Sequence, residues 1–239
     1  MSTMTLYQFE LCPYCHKVKA GLDLKGIPYN KVEVNPISKQ ELKPLGEAPT
    51  GRKKVPDIQH HDEVVRDSTE ILKWLDQTQP GGVQLLPKNK DELALAETID
   101  TWVNEDLTHI LPTVLYGTWG ESIKAAKLTA ETSNFSRVDN IKVSLFGSVV
   151  MKLIAKRILK KRGEGKTGAE LLNRELDKLE AWLGDKPFLG GDAPDLGDAS
   201  THGALTCVKE FPAFHFIESR PRINAWYQRV AELRQPATN

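Results

Sequence analysis

The sequence predicts an α/β domain over residues 1–78, a linker over residues 79–90 and an all-helical domain over residues 91–239. Two observations predict this division. Strand-like and helix-like patterns alternate before the linker, whereas apolar residues recur only at helical spacing after it. The linker is rich in glycine and proline, which interrupt regular elements. A chain of 239 residues is long enough for two domains with a sizeable core.

Composition argues against several classes of function. The 32 basic and 32 acidic residues cancel, so no overall field favours a nucleic acid or an anionic surface, and we expect a small-molecule partner. Three cysteines do not make a disulfide framework, so we expect a reducing, cytoplasmic location. Residues 1–4 lack the basic and apolar run of a secretory signal. Because they lead almost directly into the first strand, we also expect no apolar N-terminal extension.

The first element is a strand over residues 5–9, which leads into Cys12-Pro13-Tyr14-Cys15 at the start of a helix. A cysteine at such a turn lies among the free N–H groups of the first helical turn, where the helix dipole stabilises a thiolate. Cys12 is therefore the candidate nucleophile. Pro13 supports this placement because proline fits the first helical turn, where its missing N–H is not used.

Two other interpretations of the cysteine pair stay open. A structural zinc ion needs four ligands, and only Cys207 remains after this pair. A structural disulfide or two inert core thiols would fit poorly at an exposed turn. We favour redox chemistry and predict no metal site. His60 and His61 have no acidic or sulfur ligands at metal spacing, so we expect them at the surface.

The other elements of the α/β domain follow from periodicity and turn residues. They are a helix from Cys15 to Gly26, a strand over residues 29–34, a short helix within residues 36–54, strands over residues 54–58 and 63–66, and a helix that begins at Asp67-Ser68. The order β-α-β-α-β-β-α implies that the first two strands are parallel and joined by a right-handed crossover.

Apolar stripes predict the helices of the second domain. Three of them run from Leu93 to Ile110, ended by Pro112, from Leu172 to Leu183, closed by Gly184, and from Ile223 to Leu233. Little can be assigned over residues 112–142. Asp195 and Asp198 form an acidic capping box, in which the first side chain caps a helix and the second reaches back. We assign them a role in folding, and we expect Cys207 to be core sulfur.

The segment over residues 142–162 admits three interpretations. Leu145, Val149, Leu153 and Ile154 share one helical face, and three basic residues end the segment. We favour a core helix. The alternative is an amphipathic helix on a membrane surface. A membrane span is disfavoured because polar residues interrupt the apolar run.

Five motifs in chain order resemble the glutathione transferases. They are Leu6-Tyr7-Gln8, Cys12-Pro13-Tyr14-Cys15, Val32-Glu33-Val34-Asn35-Pro36, Lys54-Val55-Pro56 and Asp67-Ser68. Within that superfamily they are most similar to the membrane-associated prostaglandin E synthase type 2 family. The resemblance implies an α/β thioredoxin-like N-terminal domain, glutaredoxin-like in its cysteine motif, followed by an all-α glutathione transferase C-terminal domain.

The resemblance also implies a glutathione site. Asp67 would pair with the γ-glutamyl ammonium, while Ser68 and the helix N–H groups bind the adjacent carboxylate. A cis bond between Val55 and Pro56 would hold the Val55 backbone outward, against the cysteinyl backbone of glutathione. Tyr14 would border the substrate side. Taken singly, Asp67-Ser68 is also an ordinary helix cap, and most Val-Pro bonds are trans.

We expect the Cys12 thiolate to attack a mixed disulfide and accept glutathione, which Cys15 or a second glutathione then releases. Tyr7 offers a competing mechanism, because many glutathione transferases carry a catalytic tyrosine near the end of the first strand. Protonated His16 would add positive potential near the thiolate; the alternative is a solvated side chain.

Other functions stay open. One is glutathione-assisted isomerisation of an apolar endoperoxide, for which the resemblance admits haem bound together with glutathione. Another is a non-catalytic binding module with the same fold. We expect a small apolar or disulfide second substrate, and the analogy with transferases suggests a homodimer.

Overall fold

The computed structural model describes residues 4–48, 51, 53–133, 135 and 137–234, with side chains described for all of these except residues 137–145. Four strands form one sheet: β1 (Met4–Gln8), β2 (Tyr29–Glu33), β3 (Asp57–His60) and β4 (Glu63–Arg66). Their spatial order is β2-β1-β3-β4. Strand β1 is parallel to β2 and antiparallel to β3, and β3 is antiparallel to β4. The predicted order of the strands along the chain and the parallel pairing of the first two are confirmed.

The α-helices in the described ranges are α1 (Pro13–Leu24), α2 (Ser68–Thr78), α3 (Lys90–Trp102), α4 (Thr108–Leu115), α5 (Trp119–Thr132), α6 (Arg137–Arg162), α7 (Gly168–Leu183), α8 (Leu196–Thr206), α9 (His215–Glu218) and α10 (Pro221–Leu233). A 3₁₀ helix at Gln40–Leu45 takes the place of the predicted short helix, and a second one spans Pro212–Phe214. The architecture is the predicted one, an α/β domain followed by an all-helical domain.

Helix α1 packs along α8 and joins the two domains. Gly203 on α8 marks the closest approach, since a Cβ atom there would lie 2.5 Å from both the His16 carbonyl oxygen and the Lys17 Cα. One continuous apolar core follows from this packing, and it includes Leu22 of α1 and Leu205 of α8. The cysteine motif is therefore held by the helical domain as well as by the sheet.

The first helical stripe continues further than predicted. A π-helical turn at Val103–Leu107 links α3 to α4, and α4 runs through Pro112 to Leu115. The prediction that Pro112 ends the helix was wrong. A π-helical turn interrupts the regular hydrogen-bond pattern of an α-helix, so such turns are rare. They occur frequently at functional sites.

The prediction that α6 is a core helix was also wrong for one of its faces. We expected the face of Val149, Leu153 and Ile154 to be buried, but these side chains are 43%, 60% and 44% exposed. The side chain of Leu145 lies outside the described residues. Only Ala155 of this part of α6 enters the core fully, at 2% exposure. Helical periodicity correctly predicted that these residues share one side of the helix, but the prediction that this side is buried was wrong.

The capping box at α8 is confirmed. Asp195 accepts hydrogen bonds from the N–H groups of Gly197 and Asp198, at 2.8 and 3.3 Å, and the Asp198 side chain accepts from the Asp195 N–H at 3.1 Å. Cys207 is buried, as expected of core sulfur. Leu233, predicted to lie on the apolar face of α10, is 43% exposed because it ends the helix. No helix in the described part of the chain is long and apolar enough to cross a membrane.

Candidate functional site

Cys12 is the N-cap of α1, where the chain leaves β1. Its extended backbone places the sulfur over the first helical turn, and Sγ accepts a hydrogen bond from the Cys15 N–H at 3.4 Å. Pro13 follows as the first helical residue. Cys12 is partly exposed, Cys15 is buried, and both are free thiols. The two sulfurs of one motif therefore meet different environments.

The pKa values of the two thiols move in opposite directions. A hydrogen bond from Cys15 and the N–H groups of Cys15 and Tyr14 hold the pKa of Cys12 below its usual range, against the effect of burial. Burial, followed by the hydrogen bond to Cys12 and the charge on Cys12, raises the pKa of Cys15 well above the usual range. This asymmetry favours a Cys12 thiolate beside a protonated Cys15.

His16 does not support the thiolate as a cation. Its side chain is buried, and burial and the charge of Lys19 lower its pKa to about 3. Its Nε2 lies 2.8 Å from the Glu10 carbonyl oxygen. His16 is therefore neutral, so both sequence-based interpretations of it were wrong. Lys19 is a cation whose charge lowers the pKa of Cys12, and its Nζ donates to the Glu10 carboxylate at 2.9 Å.

A cavity of about 490 Å³ opens beside the motif, between the edge of the sheet and the start of α2. Its lining residues are Tyr14, Ala48, Lys54, Val55, Pro56, Asp57, Arg66, Asp67, Ser68 and Asn104. The Val55-Pro56 peptide bond is cis, as the resemblance implies. Five predicted site residues thus share one cavity. Cys12 is not in its lining and lies two positions before Tyr14.

Asp67 has an unusual backbone. Its φ of 74° lies in the left-handed region, which aspartate adopts more readily than most residues. Its Oδ1 accepts hydrogen bonds from the N–H groups of Thr69, at 2.9 Å, and Glu70, at 3.5 Å. Asp67 therefore caps α2. Ser68, the first residue of α2, is 4% exposed and faces the same cavity. A non-glycine residue with positive φ in a cavity wall is typical of functional sites.

Sequence reasoning missed a charged pair in this cavity. Asp57 and Arg66 face each other in the β3-β4 ladder, and Arg66 Nε lies 3.5 Å from Asp57 Oδ2. Burial raises the pKa of Asp57 to about 6 despite the guanidinium beside it. The signal was only partial, because the predicted hairpin placed the two residues on adjacent strands but its bounds, 54–58 and 63–66, do not pair them.

The helical domain contributes a polar cluster that sequence reasoning also missed. Tyr14 donates its hydroxyl to the Asn104 carbonyl at 3.1 Å, and Thr108 donates to the Tyr14 hydroxyl at 2.9 Å. Buried Lys17 donates to Asp100 Oδ1 at 2.7 Å and to Asn104 Oδ1 at 2.6 Å. The π-helical turn therefore fixes the aromatic ring of the cysteine motif.

Tyr7 does not face either of the cavities described here. Its hydroxyl donates to Gln59 Oε1 at 3.1 Å, and the side chain packs in a small cluster with Val34, Leu42 and Leu45. This environment fits the packing role of a strand tyrosine.

A second cavity, of about 390 Å³, is almost wholly apolar. Its lining residues are Phe9, Pro36, Ile37, Tyr116, Thr129, Phe135, Phe146, Gly147, Val150, Met151 and Ile154. Its lining reaches Phe9, whose carbonyl accepts a hydrogen bond from the Cys12 N–H at 3.0 Å. Each cavity thus has a lining residue within three positions of Cys12, Phe9 in the apolar one and Tyr14 in the polar one.

The linings of the two cavities contain no histidine and no cysteine. No group of three or more His, Cys, Asp or Glu residues within the described ranges could hold a metal ion. Tyr14, Tyr116 and Met151 line the cavities and belong to residue types that can ligate haem iron, and the resemblance admits haem bound together with glutathione. Neither lining therefore identifies a haem site.

Two family models match the chain. The model described as "Glutathione S-transferase, N-terminal domain" matches residues 6–82, and the one described as "Glutathione S-transferase, C-terminal domain" matches residues 145–234. The first match includes the cysteine motif and nine of the ten residues of the polar cavity's lining. The second includes the capping box of α8.

Individual relatives agree with these models. Prostaglandin E synthase 2 from Danio rerio is 25% identical over an alignment of 274 positions, which covers 97% of this chain and 71% of that protein. Glutaredoxin 1 from Rickettsia felis is 36% identical over 58 residues, which cover 24% of this chain and 57% of that protein. The crystal structure of β-etherase LigF from Sphingobium sp. strain SYK-6 covers 97% of this chain and 98% of its own, with a TM-score of 0.67 at 20% identity. That structure has the same fold.

Proposed function

Because the chain belongs to the glutathione S-transferase superfamily and is similar to prostaglandin E synthase 2, we propose that it is a glutathione-dependent thiol transferase with a Cys12 nucleophile. The observation that carries this proposal is the position of Cys12, the partly exposed N-cap of α1 whose Sγ accepts a hydrogen bond from the Cys15 N–H, and the lowered pKa of Cys12 beside the raised pKa of Cys15 agrees with it. A thiolate is the attacking species in thiol–disulfide exchange, and Cys12 is the partly exposed sulfur of the motif.

The first chemical step forms a bond between Cys12 and the glutathionyl sulfur of a mixed disulfide. The bond between that sulfur and the second thiol breaks, and the second thiol leaves as a thiolate that takes a proton from water. In the next step a second glutathione thiolate attacks the glutathionyl sulfur on Cys12. Oxidised glutathione leaves, and the Cys12 thiolate returns.

We assign release to a second glutathione rather than to Cys15. Cys15 is buried, and this burial is the main reason for its raised pKa, so the thiolate needed for attack is disfavoured there. Its role in the proposal is to donate a hydrogen bond to the Cys12 thiolate.

The polar cavity supplies the proposed glutathione site. Its volume of about 490 Å³ lies in the usual range for small-molecule sites. The Asp67 carboxylate would bind the γ-glutamyl ammonium, while Ser68 and the N-terminus of α2 bind the adjacent carboxylate. The backbone of Val55 would pair with the cysteinyl unit. Arg66 lies in the same lining, where its guanidinium pairs with Asp57 and donates to the Leu45 carbonyl at 2.6 Å, so it would support the wall of the site.

The apolar cavity supports a second candidate function. A cavity lined almost entirely by apolar side chains, on the Phe9 side of Cys12, fits an apolar second substrate. Combined with the similarity to prostaglandin E synthase 2, it favours glutathione-assisted isomerisation of an apolar endoperoxide as the alternative.

An assay of glutathione-dependent reduction of a small mixed disulfide tests the thiol transferase proposal. We expect the wild type to be active and Cys12→Ser to lose activity by about a thousandfold, because serine is not ionised at neutral pH. Tyr7→Phe is the matched control, and we expect it to keep full activity. An inactive wild type, or loss in Tyr7→Phe together with activity in Cys12→Ser, would overturn the proposal.

The same variants separate the alternatives. A non-catalytic binding module would bind glutathione in calorimetry but reduce no disulfide. An isomerase would convert an apolar endoperoxide without net consumption of glutathione, and substitution of Ile37 in the apolar cavity by Glu would reduce that activity alone.

A further inference from the structure

One face of α6 exposes apolar residues beyond the apolar cavity. Val149 and Leu153 are 43% and 60% exposed and are not part of the cavity lining. They lie beside three lining residues that are also exposed, Phe146 at 64%, Val150 at 54% and Ile154 at 44%. These five positions follow the spacing of three and four residues that defines one side of a helix. A contiguous apolar patch of this kind on a protein surface marks a contact site.

Basic residues continue the same side of α6 toward its C-terminus. Lys156 and Arg157 follow Leu153 by three and four residues, and Lys160 and Lys161 follow Arg157 by the same steps. All four are exposed. No acidic residue occurs over residues 146–162. The helix face is therefore apolar in its middle and strongly positive at its end.

The start of α5 adds exposed apolar residues beside α6. Lys152 of α6 donates a hydrogen bond to the Gly117 carbonyl, which places the start of α5 next to the middle of α6. Trp119 and Ile123, on one side of α5, are 56% and 45% exposed. Tryptophan is enriched at the boundary between lipid headgroups and acyl chains.

We propose that this surface docks on an anionic lipid bilayer. We call it the α6 face, and it comprises Phe146, Val149, Val150, Leu153, Ile154, Lys156, Arg157, Lys160 and Lys161. Its apolar section enters the boundary between headgroups and acyl chains, while its basic section binds anionic headgroups. The proposal needs no chemical step. Phe146, Val150 and Ile154 of this surface also line the apolar cavity, whereas Leu153, Lys160 and Lys161 lie outside its lining.

Charge complementarity favours a membrane over a second copy of the chain. In a two-fold symmetric dimer the same patch lies on both subunits, so the α6 face of the partner would offer four cations and no acidic residue. An anionic bilayer offers the opposite charge. The zero net charge of the chain gives no long-range attraction, so binding depends on this local cluster and weakens as salt screens it.

Cosedimentation of the full chain with lipid vesicles tests the proposal. We expect binding to vesicles of phosphatidylcholine mixed with phosphatidylserine, little binding to phosphatidylcholine alone, and loss of binding as salt is raised. Leu153→Glu should lower the partition coefficient by about tenfold or more. The double variant Lys160→Gln/Lys161→Gln should lower it by about twenty-five-fold, since each cation near an anionic surface contributes roughly fivefold.

Matched controls keep the test specific. Leu233→Glu alters a residue of α10 that is 43% exposed, and Lys88→Gln/Lys90→Gln removes two exposed cations at the start of α3. Both should bind like the wild type, and all variants should keep the circular dichroism spectrum of the wild type. Failure of the wild type to bind anionic vesicles, or equal binding by all variants, overturns the proposal. So does a dimer in sedimentation velocity that Leu153→Glu dissociates without any vesicle binding.

Discussion

Helices α1 and α8 pack against each other, but the acceptor groups at their N-termini differ in their hydrogen-bond partners and in their exposure to solvent. At α8, Asp198 accepts hydrogen bonds from the N–H groups of Leu189 and Gly190, both at 2.9 Å, and from Trp226 Nε1 at 2.6 Å. At α1, the sulfur of Cys12 accepts from the Cys15 N–H at 3.4 Å and stays partly exposed. An N-terminal acceptor whose partners are all internal stabilises a fold, whereas one with few partners and access to solvent is available for chemistry.

This comparison predicts that a substitution at the N-terminus of α8 lowers stability but not activity, whereas one at the N-terminus of α1 lowers activity but not stability. Asp198→Ala leaves buried donors without an acceptor, so we expect it to lower the free energy of unfolding by about 3 to 5 kcal/mol. We expect the folded fraction to keep the activity of the wild type per molecule. Urea unfolding followed by tryptophan fluorescence measures the first effect, and the disulfide assay measures the second.

Cys12→Ser is the counterpart of that variant. Serine is a good N-cap, so we expect its free energy of unfolding to change by less than about 1 kcal/mol while activity is lost. If Cys12→Ser unfolded as easily as Asp198→Ala, the contrast between the two N-termini would disappear.

The contact between the two helices can itself be weakened. In Gly203→Ala the new Cβ would meet the backbone of His16 and Lys17, so we expect a loss of about 2 kcal/mol in stability as the helices separate. Gly120→Ala in α5 is the matched control, because its Cβ would meet nothing closer than 3.9 Å. Thermal unfolding of the two variants should show a lower midpoint for Gly203→Ala only.

The two cysteines of α1's motif should also differ, with a much smaller effect on activity at Cys15 than at Cys12. Because we assign release to a second glutathione, Cys15→Ser should keep activity within about threefold of the wild type. Steady-state rates at varied glutathione concentration measure this. A loss similar to that of Cys12→Ser would make Cys15 the resolving thiol.

Local patterns predicted the architecture well. Both helix N-termini could be placed from the sequence alone, because each depends on hydrogen bonding within a few residues. At α8 this is the capping box of Asp195 and Asp198, and at α1 it is the proline after Cys12, which fits where no N–H is needed. The predicted hairpin also brought the strands of Asp57 and Arg66 together, but its predicted bounds did not give the register that pairs them. Each of these features depends on neighbours that are close in the sequence or paired in a ladder.

Features created by packing between distant segments could not be predicted in this way. His16 is buried and neutral because α8 covers its helix, which no pattern near residue 16 reveals. Asn104 enters the polar cavity on a π-helical turn, and Lys17 fixes its side chain from another domain. Helical periodicity in α6 identified an apolar face but contained no information on whether another element covers it.

The pKa of the Cys12 thiol tests the central claim most directly. The rate of Cys12 alkylation by iodoacetamide, followed by mass spectrometry of the labelled peptide, should rise with pH because the thiolate is the reacting form. We predict a midpoint clearly below about 8.5, the value of an ordinary cysteine, with little label on Cys15. A midpoint at or above that value, or labelling of Cys15 before Cys12, would contradict the account.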